Sequence, residues 1–307
     1  MELNKNALTK RLFQKHEWQL YLLIFPGLIF FIIFHYVPMY GIIIAFKRYS
    51  IARGINASPW VGWLYFERFF RSNMFWELIK NTIVLSFYQL IVSFPFPLIL
   101  ALLLNHNRRK KFGQAVQTIT YAPHFISLVV LSGMLYLFTS PSSGIVNYVL
   151  TKMGESPINF MGKSEWFRHL FVLSHVWQHT GYNAIIFLAA LTAIDPSHYE
   201  AATLDGASKL QKIWYIDLPA IMPTVITMLL LQVGRMLNMD TQKALLMQTA
   251  TNLGTSEIIG TYVYKIGLID AQFSYSTAIN LFQTAVNLII LVLVNKVSKA
   301  LANEGLW

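Results

Sequence analysis

The chain has 307 residues, of which 55% are hydrophobic and only 12% charged, against about 25% charged in soluble domains; this excludes a soluble globular protein and indicates a polytopic membrane protein. A formal net charge of +10 can signal nucleic-acid binding, but the basic residues gather at the ends of apolar segments and in loops, where anionic lipid is the simpler partner. There is no cysteine, so disulfides and thiol chemistry are excluded.

Residues 1–18 form a basic lead with Lys5, Lys10, Arg11 and Lys15. Its Leu8, Leu12 and Phe13 suit either one amphipathic face lying on the membrane or a disordered tail. The apolar segment that follows is too long for a cleavable signal peptide and lacks a small-residue cleavage site. It forms the first expected span, 19–46, with kinks expected at Pro26-Gly27 and Pro38. Residues 49–77 carry Trp60, Trp63, Phe66, Phe69, Phe70 and Trp76, which suit an interfacial belt on the outside. The second span is 78–104, irregular at Pro95 and Pro97, and closes in the short basic turn Arg108-Arg109-Lys110-Lys111.

A third span is expected at 114–138, containing Pro123-His124. An outside loop at 139–165 follows, with a short helix near 144–153. The fourth span is 166–191 and the fifth 219–239. A polar outside segment, 240–274, precedes the sixth span at 276–297 and the tail at 300–307. The expected architecture is therefore all-α: a transmembrane domain over 19–299 with six spans and both termini on one side. Of the 24 Lys and Arg residues, 12 fall on the expected inside and 12 on the outside or in spans, so by charge only the density of the turn after the second span supports placing the termini inside.

Between the fourth and fifth spans lies the stretch Glu200-Ala201-Ala202-Thr203-Leu204-Asp205-Gly206-Ala207-Ser208, continuing to Ile216-Asp217-Leu218-Pro219. Asp195 can cap a helix with Pro196 in its first turn. Gly206 can end that helix in a left-handed conformation. Ser208 and Gln211 form an S-x-x-Q capping box for a second short helix. Leu210, Ile213, Trp214 and Ile216 give that helix an apolar side, and Pro219 ends it or opens the next one.

This run resembles the EAA loop of permease subunits in binding-protein-dependent ABC importers: E-A-A, three residues, G, nine residues, then I-x-L-P. Glu200, Ala201, Ala202, Gly206, Ile216, Leu218 and Pro219 match every element. The resemblance implies a type I importer permease fold with a cytoplasmic coupling loop over 195–218 that docks into a cleft on an ATPase subunit. The docking residues it implies are Glu200, Ala201, Ala202, Asp205, Gly206, Ala207, Leu210, Leu218 and Pro219. Other stretches look like the polysaccharide-permease branch, which includes importers of alginate and pectin fragments: Pro26-Gly27, Tyr121-Ala122-Pro123-His124, the run from Gly260 to Leu268, and the Leu306-Trp307 ending. Residues 236–250, from Met236-Leu237-Asn238-Met239-Asp240 onward, depart from that branch.

No catalytic set stands out, and there is no P-loop, zinc-protease or nucleophile-elbow motif. The chain is expected not to be an enzyme and to hold no cofactor or metal; ATP and Mg would belong to partner ATPase subunits. His175 and His179 have metal-ligand spacing, although polar residues facing a bundle interior are the simpler reading. Polar residues inside spans are costly in lipid and face protein or water. Tyr88 and Gln89 in the second span, His175, Gln178 and Tyr182 in the fourth, and Gln232, Arg235 and Asn238 in the fifth recur at helical spacing. They are candidates for a sugar pathway, the alternative being hydrogen bonds that hold the bundle.

The expected protein is a multi-pass permease subunit in a bacterial cytoplasmic membrane, both termini cytoplasmic. Its implied partners are a second permease subunit, an ATPase dimer, an extracytoplasmic solute-binding protein and an oligosaccharide. The oligosaccharide is acidic (alginate- or pectin-derived), or else a neutral sugar or disaccharide. A secondary transporter is the remaining alternative, disfavoured because no carboxylate is expected well inside a span.

Overall fold

The computed structural model describes residues 17–107 and 109–302. Most of the basic lead, Arg108 and the Leu306-Trp307 ending lie outside the described residues. Among the described residues every regular element is helical, and the single β-contact is an isolated bridge between Lys47 and Trp60.

The first span begins as α1 (Glu17–Phe31), widens into a π-turn at Ile32–Tyr36, and ends as a 3-10 stretch at Tyr40–Phe46. Pro26 is accommodated within α1. Pro38 lies two residues past the π-turn, where its missing N–H and its ring disturb the ladder of the preceding turn. Residues 19–40 are exposed, Leu23 and Phe34 by more than half, whereas the 3-10 stretch packs on the C-terminal helix, burying Ala45 against Ala278. Beyond it, α2 (Leu64–Phe70) buries Phe66 and Phe69 while Trp60, Trp63 and Trp76 stay outside.

The second span is α3 (Phe75–Ser93) and α4 (Pro95–Asn105), divided at Phe94 ahead of Pro95 as the prolines led us to expect. The third departs from expectation. Residues 114–138 do not form one straight helix. Instead α5 (Lys110–Tyr121) runs through a 3-10 turn to Phe125, and α6 (Leu128–Thr139) leaves at 101°. Pro123 supplies no N–H to continue the ladder. Ser127 is extended and caps α6 by accepting from the Val130 N–H.

A short helix, α7 (Ile145–Lys152), lies where the loop helix was expected, and α8 (Ser164–Thr192) is one uninterrupted helix of 29 residues. At 1.5 Å per residue α8 is long enough to cross a bilayer. Its Arg168, His175, Gln178 and His179 nevertheless keep it out of the set that is both long and apolar: Gln19–Phe46, Phe75–Asn105, Lys209–Val233 and Phe273–Ala300.

The fifth span also differs. After α9 (Pro196–Leu204) and α10 (Lys209–Lys212), a π-turn at Ile213–Asp217 leads straight into α11 (Leu218–Val233). Pro219 neither ends nor restarts a separate helix; the wide turn, with the Leu218 N–H donating to the Ile213 carbonyl, absorbs it. The expected span 219–239 stops at Gly234. The segment 240–274, expected to be polar with little apolar continuity, folds as a helical cap with a buried interior. Its α12 (Thr241–Met247) and α13 (Ile259–Tyr264) bury Ala244, Met247, Ile258 and Ile259. Finally α14 (Phe273–Ala302) forms the sixth span.

α8 is the axis, packing along α3, α4 and α5. Phe167, Phe171 and Val172 join Leu85, Ala244 and Ile258 at one end, and Ala184, Phe187 and Leu191 join Ala101, Leu102 and Ile221 at the other. Within lipid, such clusters are held by van der Waals fit rather than by escape from water.

Candidate functional site

A cavity of about 480 Å³ opens between α3, α8, α11 and the turn after α11. Of the eight expected pathway residues, Gln89, His175, Gln232, Arg235 and Asn238 line it. Arg235 and Asn238 do so from the turn beyond Gly234, not from the helical face that their spacing predicts. Ser86, Ser93, His179, Asn183 and Asp240 complete its polar wall. Ser86, Gln89 and Ser93 recur at three- and four-residue steps, and Asn183 lies one turn beyond His179, so this periodicity was present in the sequence.

Tyr88, Gln178 and Tyr182 do not line the cavity and bond elsewhere. The Tyr88 hydroxyl meets His169 Nδ1 at 2.8 Å. Gln178 Nε2 donates to the Ile126 carbonyl at 2.8 Å, holding the bend between α5 and α6. Tyr182 stacks on His124, ring centroids 3.8 Å apart. His124 Nδ1 in turn lies 3.2 Å from His179 Nδ1, one of the two donating.

Arg235 is exposed toward the cavity, and among the described residues no carboxylate pairs with it. Asp240 shares the cavity, but its Oδ1 caps α12 by accepting from the Lys243 N–H at 3.1 Å. Lys243 itself is buried, its Nζ donating to the Phe171 carbonyl at 2.9 Å and lying 4.7 Å above the Phe171 ring. No sequence signal distinguished it from the polar segment around it.

At the far end of α8, the EAA stretch folds as its residues dictate. Asp195 accepts from the Ser197 N–H at 2.9 Å, and this bond holds its carboxyl below the usual carboxylate range. Gly206 has φ +79°, and the Ala207 N–H donates to the Ala202 carbonyl at 2.9 Å, closing the end of α9. The Ser208 N–H donates to Gln211 Oε1 at 2.7 Å while Ser208 Oγ accepts from the Gln211 N–H, a reciprocal cap. Lys212 Nζ donates to Thr203 Oγ1 at 2.7 Å and ties the two helices together.

The hairpin frames a hollow of about 300 Å³ whose lining includes Ala202, Asp205, Gly206 and Ala207. Glu200, Ala201, Leu210 and Pro219 are exposed, and Leu218 is half-buried against the bundle. Leu204, Leu210, Trp214 and Tyr215 stand out from the hairpin, Leu204 at 89% exposure. Apolar surface concentrated in this way marks an interaction face.

Asp217, the variable residue of I-x-L-P, is fully buried. Tyr199 Oη donates to its Oδ1 and His106 Nε2 to its Oδ2, each at 2.5 Å. Burial, followed by the bond to Asp217, pushes the Tyr199 hydroxyl up to about 12, so it remains a donor at any physiological pH.

Residues 81–303 match the family model described as binding-protein-dependent transport system inner membrane component. The chain is 43% identical over 306 residues to the polygalacturonan/rhamnogalacturonan transport system permease protein YteP of Bacillus subtilis, covering 100% of this chain and 94% of that protein. It is also similar to a chain in a crystal structure of a bacterial ABC transporter involved in the import of the acidic polysaccharide alginate, with TM-score 0.88, 38% identity and coverage of 96% and 99%. A second structure of the bacterial alginate ABC transporter, in complex with an alginate pentasaccharide-bound periplasmic protein, gives TM-score 0.87, 37% identity and coverage of 97% and 99%.

Proposed function

This chain belongs to the family of binding-protein-dependent transport system inner membrane components, and from that premise we propose that it is one permease subunit of an ATP-driven oligosaccharide importer working by alternating access. A solute-binding protein delivers the sugar, a second permease subunit completes the pathway, and a dimer of ATPase subunits supplies ATP and Mg. The chain itself performs no hydrolysis. The exposed apolar residues of the 195–218 hairpin form the face offered to an ATPase subunit. That assignment places the hairpin and both termini in the cytoplasm. The exposed part of the first span, residues 19–40, is covered by lipid and by the second permease.

The substrate class we propose is an acidic oligosaccharide. The observation that carries it is Arg235: a guanidinium facing an intramembrane cavity, with no carboxylate partner among the described residues. Placing Arg in hydrocarbon costs about 2.5–3.5 kcal/mol on insertion scales, and a uronate carboxylate offsets this through two parallel hydrogen bonds. Gln89, Gln232 and Asn238 supply donors and acceptors for hydroxyls. The alginate and polygalacturonan relatives point to the same chemistry. The neutral-sugar alternative draws on Asp240, whose carboxylate shares the cavity and would repel a uronate.

The test is uptake by the complete complex in proteoliposomes, with ATP inside. An oligogalacturonate and a neutral galacto-oligosaccharide of equal length are each delivered by the binding protein. Preferential uptake of the acidic sugar supports the reading. Uptake of the neutral sugar alone overturns the substrate class, and ATP-independent uptake by this subunit alone overturns the mechanism.

A further inference from the structure

We propose that Asp217 is a positioning residue that pins α9 to the end of the second span, so that the two move as one body when the hairpin is displaced; this rests on the transport reading above. Three separate elements converge on one carboxylate: Tyr199 from α9, His106 from the end of α4, and Asp217 from the π-turn that opens the fifth span. Asn105 Nδ2 adds a longer bond of 3.4 Å to the Tyr199 hydroxyl.

The arrangement matters because α9 has little else to hold it. None of its residues is buried, so no apolar core of its own carries a push into the bundle. The Lys212–Thr203 bond stays within the hairpin. The Tyr199–Asp217 bond, by contrast, reaches the membrane domain. Hydrogen bonds to a carboxylate are shorter and about twice as strong as neutral ones.

Pro219 makes the geometry possible. It cannot continue the regular ladder, and the wide turn before it adds a residue that offsets the face of the helix. Asp217 lies at the end of that turn and is fully buried, while Trp214 and Tyr215 remain outside. With its Nε2 protonated, His106 donates to one carboxylate oxygen while Tyr199 donates to the other.

The chain contains no cysteine, so a pair introduced at Ser197 in α9 and Leu103 in α4 gives this subunit only the two intended labelling sites, in a complex whose partner subunits have their own cysteines replaced. In the assembled complex, the distance between the labels is expected to stay narrow and unchanged between the nucleotide-free state and the state bound to a non-hydrolysable ATP analogue. In Asp217→Asn and Tyr199→Phe it is expected to broaden. In the same variants, sugar moved per ATP hydrolysed falls by about tenfold, as for loss of one hydrogen bond to a charged group. His106→Gln, which keeps an N–H donor, is expected to retain more coupling than His106→Phe. Unchanged distances together with wild-type sugar moved per ATP in Tyr199→Phe, which preserves the ring and its packing, would overturn the proposal even if Asp217→Asn failed to assemble. A wild-type complex without sugar-stimulated ATPase activity would instead sink the transport reading, and the label distances would still decide whether α9 is pinned.

Discussion

Gly181 in α8 and Thr120 in α5 meet backbone to backbone: a methyl group added at Gly181 would run into the Thr120 carbonyl. The long central helix can cross the bent third span there because that position has no side chain. Overpacking of this kind costs about 1–3 kcal/mol, and a clash with backbone cannot be relieved by a rotamer change. Gly181→Ala is therefore expected to lower the thermal midpoint of the purified complex in detergent, and Gly181→Val to reduce its yield sharply. A midpoint equal to wild type in both would show that the two helices can separate freely.

Gly206 is a different kind of glycine. No atom lies within 4 Å of where its Cβ would be, yet its φ is +79°. Gly206→Val is expected to strain the turn by about 1–2 kcal/mol and to rotate α9 against α10. Capture of the ATPase subunit by the tagged chain should fall, while Gly206→Asn, which tolerates this conformation, should lose less. Full capture and sugar-stimulated ATPase activity in Gly206→Val would remove the hairpin from the docking interface.

Arg235→Gln is expected to reduce uptake of the oligogalacturonate far more than that of the neutral sugar. Loss of one charge-assisted bond corresponds to about 1.5–3 kcal/mol, a drop of tenfold or more. The measurement is initial uptake for both sugars by the same preparation. An equal loss for both would make Arg235 a structural residue and remove the argument for a uronate.

Glu257 is buried in the cap, receiving Thr261 Oγ1 at 2.9 Å on Oε1 and Lys265 Nζ at 2.5 Å on Oε2. Removing the cation strands a buried carboxylate, which costs about 3–5 kcal/mol. Lys265→Met should destabilise the complex strongly, and adding Glu257→Gln should recover part of the loss. Thermal midpoints of the two single variants and the double variant measure this. Strict additivity would mean the pair does not interact.

Much was legible in the sequence because it is local. Apolar runs of bilayer length, the break at Pro95, the Asp195 cap, the Gly206 turn and the Ser208–Gln211 box each follow from a few neighbouring residues and the hydrogen bonds they can or cannot make. Of the eight candidate pathway residues, Gln89, His175 and Gln232 reach the cavity because helical spacing puts polar groups on a common face, whereas Arg235 and Asn238 reach it from the turn beyond Gly234.

What the tertiary structure alone decided depends on distant segments. Periodicity could not tell that Gln178 Nε2 donates to Ile126, that Tyr182 stacks on His124, or that Tyr88 is engaged by His169, since those partners come from other elements. The 240–274 segment reads as a polar loop because its Lys243, Asn252 and Glu257 are polar, yet each is buried against partners, Lys243 against Phe171 of α8. Asp217 occupies an unspecified position in its motif. Only the approach of Tyr199 and His106, 18 and 111 residues away, makes it the point where the hairpin joins the membrane domain, because a buried carboxylate must be satisfied by whatever donors the fold brings to it.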